Sequence, residues 1–348
     1  MDEISDASEE QDLFEHHRFV VDPGQQPERL DKFVFTRIPQ ATRTRVQTAI
    51  EAGNVRVDGK PSKSSYKVRP GDQITVVLPK PPREIELIPE NIPLDIVFED
   101  EDLVIINKKP GMVVHPGHGN YSGTLVNALL HHFANLPQLP AREGFPDEPR
   151  PGLVHRIDKN TSGILVVAKN EFSMTRLAKI FFDRDLDRKY NAVVWGEPEI
   201  DTGRVEGHIG RSLKDRKVMD VFPEGDQGKH AITHYRVLEK LGYVSFVECK
   251  LETGRTHQIR VHMQHIGHPV FNDGEYGGNR ILKGTTFTKY RQFVENCFAV
   301  CPRHALHART LSFKHPRTGK EVSFEAPLPE DMEKLLAKWR TYSGSRHE

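Results

Sequence analysis

The sequence predicts an α+β protein: a small N-terminal α/β module followed by a larger domain on a mixed, mainly antiparallel sheet. Three observations carry this. A basic segment patterned as two helices and then strands ends at Pro81-Pro82. From Ile96 onward, short strands and helices alternate in no strict βαβ order, which argues against a doubly wound parallel sheet. At 348 residues, the chain is also longer than one ordinary core serves. No apolar run approaches the roughly 20 residues that cross a bilayer, and the N-terminus is acidic where a leader would be positive, so a cytoplasmic protein is expected. Cys249, Cys297 and Cys301 are too few and too unevenly placed for a disulfide framework, and reduced thiols are the default.

Taken in order, the first fifteen residues carry seven acids and no Lys or Arg. That is the composition of a disordered tail, expected over residues 1–17. The net charge of zero conceals a strongly basic stretch, because residues 28 to 83 hold twelve bases against five acids. An excess of seven suits phosphate, although a charge run is also the usual dress of a solvated face. Leu30, Phe33 and Val34 mark one helical stripe that Pro39 ends. Val46, Ala49 and Ile50 mark a second, with Thr42 as its N-cap and Gly53 closing it. Arg43, Arg45 and Gln47 lie off that second stripe. Val55 and Val57 alternate with Asn54, Arg56 and Asp58, Asp58-Gly59 is a turn pair, and Ile74 to Leu78 reads as a strand after Pro70-Gly71. Lys80-Pro81-Pro82-Arg83 is a stiff linker, so the next domain begins near residue 84.

In that domain Ile96 to Phe98 and Leu103 to Ile106 form an expected hairpin around Glu99-Asp100-Glu101-Asp102, and Thr124 to Phe133 suits a capped helix. Pro137, Pro140, Pro146, Pro149 and Pro151 then demand a surface loop. The densest stretch runs from Gly152 through His155-Arg156-Ile157-Asp158-Lys159-Asn160-Thr161-Ser162-Gly163 into an apolar strand, Ile164 to Ala168. It reads as a corner between two strands. A rigid corner presenting an arginine, an acid and two hydroxyls is what a site uses, and an Asp and a Ser bonding their own backbone in a plain turn would look the same.

His155-Arg156-Ile157-Asp158, with Thr161-Ser162-Gly163 and Ala168-Lys169, resembles the signature of the RluA/RluD family of pseudouridine synthases. Lys189-Tyr190 through Gly196 is similar to the family's tyrosine-bearing strand, and Leu251-Glu252-Thr253-Gly254-Arg255-Thr256-His257-Gln258-Ile259-Arg260 to its later arginine-bearing motif. His268-Pro269-Val270, Asp273, Tyr276-Gly277 and Ala305-Leu306-His307-Ala308 extend the match across nearly everything from 20 to 335. Arg29 to Lys32, Gly53 to Gly59 and Pro70 to Asp72 resemble an S-four-type RNA-binding domain. Together these resemble the RluD-like branch, which acts on large-subunit (23S) ribosomal RNA. The resemblance thus implies an RNA-binding domain over 18–83, a pseudouridine synthase domain over 84–335 and a C-terminal tail over 336–348. The acidic start and the proline-rich loop are less typical of the family.

The implied reaction breaks a uridine's glycosidic bond, turns the uracil and rejoins it through a ring carbon, without redox change or water. It requires no cofactor and no metal. The resemblance makes Asp158 the catalytic carboxylate, Tyr190 the aromatic against the base, and Arg255 the cation that keeps Asp158 ionised. Arg156 is the residue beside the flipped nucleotide and Leu251 the wall of the uracil pocket. The basic module makes Arg43, Arg45 and Arg56 the expected RNA contacts. Plainer roles fit the same residues: a half-buried strand tyrosine, a structural ion pair, core packing. Other chemistries fit worse. Ile157 separates His-Arg from Asp where a kinase has none, and Gly225 to His230 lacks the spacing and hydroxyl of a phosphate loop. Cys297, Cys301, His304 and His307 have zinc-permitting spacing, but His307 belongs to the family strand. A nucleoside hydrolase would want a second carboxylate, which this motif does not supply. A binding-only assembly protein would need neither Asp158 nor Tyr190.

Overall fold

A computed structural model describes residues 14–38, 41–78, 87–117, 120–138, 150–213, 215 and 218–345. The chain divides into two compact units, Met1–Glu84 and Ile85–Glu348. Residues 1–13 of the acidic tail, Pro39, the Lys80–Arg83 linker and positions 139–149 of the proline-rich loop lie outside the described residues.

The first unit runs β1 (Phe14–Val20), α1 (Leu30–Arg37), α2 (Arg43–Glu51), β2 (Val55–Val57), β3 (Lys60–Pro61) and β4 (Gln73–Leu78). Its sheet has the order β1-β4-β2-β3. Thr42 caps α2 as expected, its hydroxyl accepting the Arg45 N–H. Val46 and Ile50 then meet Leu30, Phe33 and Val34 over Val55, Ile74 and Val76 in one core. Strand β1 corrects the expected tail: residues 14–17 pair antiparallel with β4. Its His- and Arg-bearing sequence shows little apolar alternation because it is an edge strand with much of its length exposed.

The second unit adds β5 (Ile96–Glu99), β6 (Leu103–Lys108), α3 (Leu125–His132), β7 (Ser162–Ala168), α4 (Glu171–Asp183), β8 (Leu186–Trp195), β9 (Thr202–Arg211), β10 (Met219–Phe222), β11 (Lys229–Lys240) and β12 (Val244–Leu251). It continues with α5 (Gln258–His265), α6 (Thr288–Val300), β13 (Leu306–Lys314), β14 (Glu321–Glu325) and α7 (Glu330–Gly344). Ten strands form one sheet in the order β10-β9-β11-β12-β8-β13-β7-β6-β5, with β14 on β13. The β5–β6 hairpin and the capped α3 stand where the sequence placed them. Among the described residues of this unit every strand pairing is antiparallel except β7 with β13, where His307 faces Ser162 and Ala308 faces Gly163. The period-2 alternation of strand side chains sorts the core. Val104, Ile106, Leu165, Tyr190 and Ala192 pack on one face with α3 and α5. Val193 and Trp195 pack on the other with α6 and α7, and Leu103, Ile105, Ile164 and Val166 with α4.

Two further expectations change. The Gly152–Thr161 stretch has no strand of its own; it is a loop that touches the sheet through a Leu153–Val167 bridge before β7 begins. The end of the domain expected at 335 falls inside α7, where Leu335, Leu336 and Trp339 are fully buried. Residues 336–344 are therefore packed helix, and Glu330, Asp331 and Glu333 in its first turn complement the helix dipole. Among the described residues no helix is long and apolar enough to cross a membrane.

Candidate active site

The loop bearing Asp158 is fastened from several sides. Lys108 at the end of β6 is almost fully buried, and its ammonium donates to the carbonyls of Lys109, Met112 and Lys159 at 2.9, 3.0 and 3.0 Å. Burial, aided by the Arg303 charge, pulls its pKa down to about 7. Arg303 donates to the Asn160 carbonyl at 2.9 Å while bonded to Asp331 of α7. The Thr161 hydroxyl lies 2.9 Å from His304 Nε2, and the Ser162 hydroxyl 2.9 Å from His307 Nδ1. Gly163, at φ +114°, passes so close to β13 that a Cβ there would lie 2.1 Å from the Ala308 carbonyl oxygen. The Thr-Ser-Gly run thus serves as a set of tethers, and the two hydroxyls weighed as site groups are tied to histidines.

Asp158 itself is partly exposed. One oxygen, Oδ2, accepts from Nη1 of Arg260 at 3.2 Å. The other has no hydrogen bond among the described residues, and His257 Nε2 stands 3.9 Å from it. Arg260 is buried on α5 and is held by Asp273 through paired contacts of 2.7 and 2.8 Å, and by Glu275. Burial opposes its charge, but the Asp273 hydrogen bonds and nearby carboxylates prevail and hold its pKa above the usual arginine value. It stays cationic.

This revises the expected partner. Arg255 does not pair with Asp158; its Nε donates to the His230 carbonyl at 3.1 Å. Both arginines belong to one short motif, but Arg260 lies inside α5 and Arg255 precedes it, so the two side chains leave in different directions. Sequence reasoning also missed Lys108, His257 and Glu275. The signal for Arg260 was available, since it lies three residues before the buried Met263 and so shares a face with it on α5.

Tyr190 is 9 % exposed on β8, beside Cys249 of β12 and Ala308 of β13. Burial raises its pKa, Arg188 opposes this and Asp158 reinforces it, so the phenol stays protonated. Leu251, the last residue of β12, shares its apolar cluster with Val247 and Ile259. The Arg156 side chain is exposed, next to the buried Ile157. His155, also in the signature, stacks on Phe181 at 4.4 Å and accepts the Val166 N–H at its Nε2, a neutral structural role.

In the first unit Arg43 and Gln47 both bond Asp31, at 3.2 and 2.7 Å, whereas Arg45 is exposed. The Nε of Arg56 is buried without a partner. Cys297, Cys301, His304 and His307 do not converge. Among the described residues the one group with metal-ligand spacing is Asp100, Asp102 and His315, where His315 bonds Asp100 and Arg317 bonds Asp102.

A carboxylate held by a buried arginine at one oxygen and without a hydrogen bond at the other among the described residues, near a protonated tyrosine in an apolar cluster, can do acid–base or nucleophilic work. Residues 102–265 match the RNA pseudouridylate synthase family, and residues 28–74 match the S4 domain. The chain belongs to the RNA pseudouridine synthases, isomerases that act on RNA. It is 49% identical over 318 residues to an uncharacterized RNA pseudouridine synthase of Chlorobaculum parvum, covering 91% of this chain and 95% of that one. It is 42% identical over 315 residues to the ribosomal large subunit pseudouridine synthase D of Zymomonas mobilis, covering 88% and 92%. The solved structure of Human RNA Pseudouridylate Synthase Domain Containing 4 matches with a TM-score of 0.53 at 27% identity, covering 70% of this chain and 92% of that chain.

Proposed function

We propose that this enzyme isomerises uridine to pseudouridine in large-subunit ribosomal RNA, with Asp158 as the catalytic carboxylate. The carrying observation is the asymmetry of Asp158: Arg260 fixes Oδ2 and leaves Oδ1 unbonded among the described residues. The guanidinium orients the carboxylate, and the open oxygen meets the substrate. In the reaction the C1′–N1 bond breaks, C1′ bonds to C5, the C5 proton leaves and N1 gains one, so atoms balance without cofactor, metal or water. Tyr190 stacks on the uracil, and its phenol, kept protonated, is placed to pass a proton. Leu251 walls the base. Arg156, exposed beside the loop, fills the space that the flipped nucleotide vacates, which offsets part of an unstacking cost of a few kcal/mol. The basic first unit, with Arg45, Arg43 and Arg56, adds contacts to the RNA. The large-subunit assignment is supported by relatives named ribosomal large subunit pseudouridine synthase D in Zymomonas mobilis and Neisseria meningitidis.

The test is tritium release from large-subunit RNA labelled at C5 of uracil, comparing the wild type with Asp158→Asn. Release by the wild type that is lost in the variant is expected. Equal release from both would remove Asp158 from the chemistry. Release confined to another RNA would move the substrate assignment, and free uracil among the products would make the enzyme a hydrolase, a reading for which Glu275 on the same arginine supplies the second carboxylate.

A further inference from the structure

Once Arg260 is the partner of Asp158, Arg255 is left without the role its motif suggested, and two more arginines stand beside it. Arg184 caps the C-terminus of α4, Arg188 lies on β8 two residues before Tyr190, and Arg255 precedes α5. Three separate segments bring them together. A Cβ at Gly254 would lie 2.8 Å from Nη1 of Arg188, so the glycine next to Arg255 makes the room that the Arg188 guanidinium occupies. Arg184 is near enough to Arg255 for its charge to add to burial in lowering the Arg255 pKa. Arg188 and Asp158 both act on the Tyr190 phenol, which puts the cluster at the border of the reaction site.

The acids in these segments are engaged elsewhere. Asp185 pairs with Lys314 at 3.4 Å, Asp187 with Lys250, and Glu252 with His234 at 2.5 Å. Among the described residues no carboxylate pairs with Arg184, Arg188 or Arg255, and the Nε of Arg188 is buried with no hydrogen-bond partner. Arginines that serve the fold look different: Arg260 and Arg303 are each saturated by carboxylates and carbonyls. Like charges held together with an unsatisfied buried donor cost stability in the free protein. A bound anion with several acceptor oxygens relieves both the repulsion and the orphaned donor.

We propose that Arg184, Arg188 and Arg255 form a phosphate-binding site that seats the RNA backbone beside the target nucleotide. The site rests on the reading that the substrate is RNA entering at Asp158. Phosphodiesters are the anions such a substrate carries, and planar guanidiniums match their oxygens in pairs. Arg255 is on this account a substrate-positioning residue whose charge is felt by the backbone and not by the uracil.

The test uses the full chain and a labelled large-subunit RNA fragment, with Arg184→Gly, Arg188→Gln and Arg255→Gln measured at several salt concentrations. Arg184 sits at φ +63°, a conformation glycine prefers, so Arg184→Gly removes the charge while easing the backbone, and weaker binding by it cannot be put down to misfolding. Each variant should raise KM about tenfold, leave kcat within about threefold, and make the log–log salt dependence of binding shallower by about one. Replacing single phosphates near the target uridine by neutral methylphosphonates should, at one position, weaken the wild type and leave Arg255→Gln no weaker than before. Unchanged KM and salt slope in all three variants would overturn the site. So would a fall in kcat at saturating RNA with unchanged KM, which would return Arg255 to the chemistry. Absent tritium release by the wild type would count against the reaction reading alone, since the salt dependence of binding still decides the phosphate site.

Discussion

Asp31 at the start of α1 and Asp158 ahead of β7 each meet an arginine, one in the first unit and one in the second, and they differ in how many donors they hold. The Asp31 side chain has no exposed surface and accepts from Arg29, Arg43, Gln47 and the Lys32 N–H. The Arg29 hydrogen bond, with burial opposing it and Gln47 and Arg43 adding to it, holds its pKa far below the ordinary carboxylate range. Asp158 is 24% exposed in its side chain and takes one guanidinium bond. A carboxylate with its lone pairs filled ties two helices together; one with a lone pair free, on a tethered loop, leaves an oxygen for the substrate proposed to meet it. Saturation, and not burial or charge alone, separates the acid that ties the helices from the one we propose as the catalytic group.

Acid should divide the two units most. Burial lowers the pKa of His155 and His304 to about 3 and of His262 and His307 to about 4, all in the second unit. Their folded values lie below the unfolded value near 6.5. Stability is therefore complete above that pH and falls as pH drops toward 4, by up to about 1.4 kcal/mol per pH unit for each histidine. In the first unit, burial lowers His17 as well, and the Asp31 contribution is lost only below the ordinary carboxylate pKa near 3.9. Hydrogen exchange between pH 7 and 5 should show the second unit loosening well before the first. Equal loosening would mean that the buried histidines are not held neutral.

Asp158→Asn sharpens the contrast in function. It should reduce tritium release by at least about 10³-fold and leave the unfolding midpoint nearly unchanged. A variant that unfolds early would make Asp158 another Asp31. Arg260→Met joins both roles, because it strands the buried Asp273 as well as Asp158. A loss of about 3–5 kcal/mol in urea unfolding is expected along with the activity. Unchanged stability would place Arg260 in the site alone. Asp31→Asn should cost about 2–3 kcal/mol, read as faster exchange of α1 and α2 amides, with weaker RNA binding but normal turnover at saturating RNA. Lost turnover would link the first unit to the chemistry.

Local signals carried much of the fold. The Thr42 cap, the β5–β6 hairpin and the capped helix that begins after Thr124 depend on neighbours a few residues away, and all were legible. Edge strand β1 was not, because half-exposed His and Arg mask a strand's alternation. The site divided along the same line. Asp158, Tyr190 and Leu251 are candidates through motif resemblance alone, whereas the choice between Arg255 and Arg260 as the partner of Asp158 depended on where α5 begins. His257 at its N-cap has φ +57°, an uncommon conformation that nothing in its neighbours announces. Lys108 carried no signal because its three acceptors are backbone carbonyls, which carry no sequence identity.

The parallel seam between β7 and β13 also sets an order of events during synthesis. Strand β13 lies between β7 and β8, so the strand leading from the Asp158 loop and the strand bearing Tyr190 are joined only by a segment made much later. Roughly 150 residues separate the end of β7 from the end of β13, a wait of about 7–30 s at ordinary ribosomal speeds. Once β8 has been made, the nascent chain holds two apolar strand edges that await β13, the kind of surface that invites pairing with other chains. Its period of greatest exposure to aggregation ends when the last strands emerge, and the same insertion fixes the distance between aspartate and tyrosine.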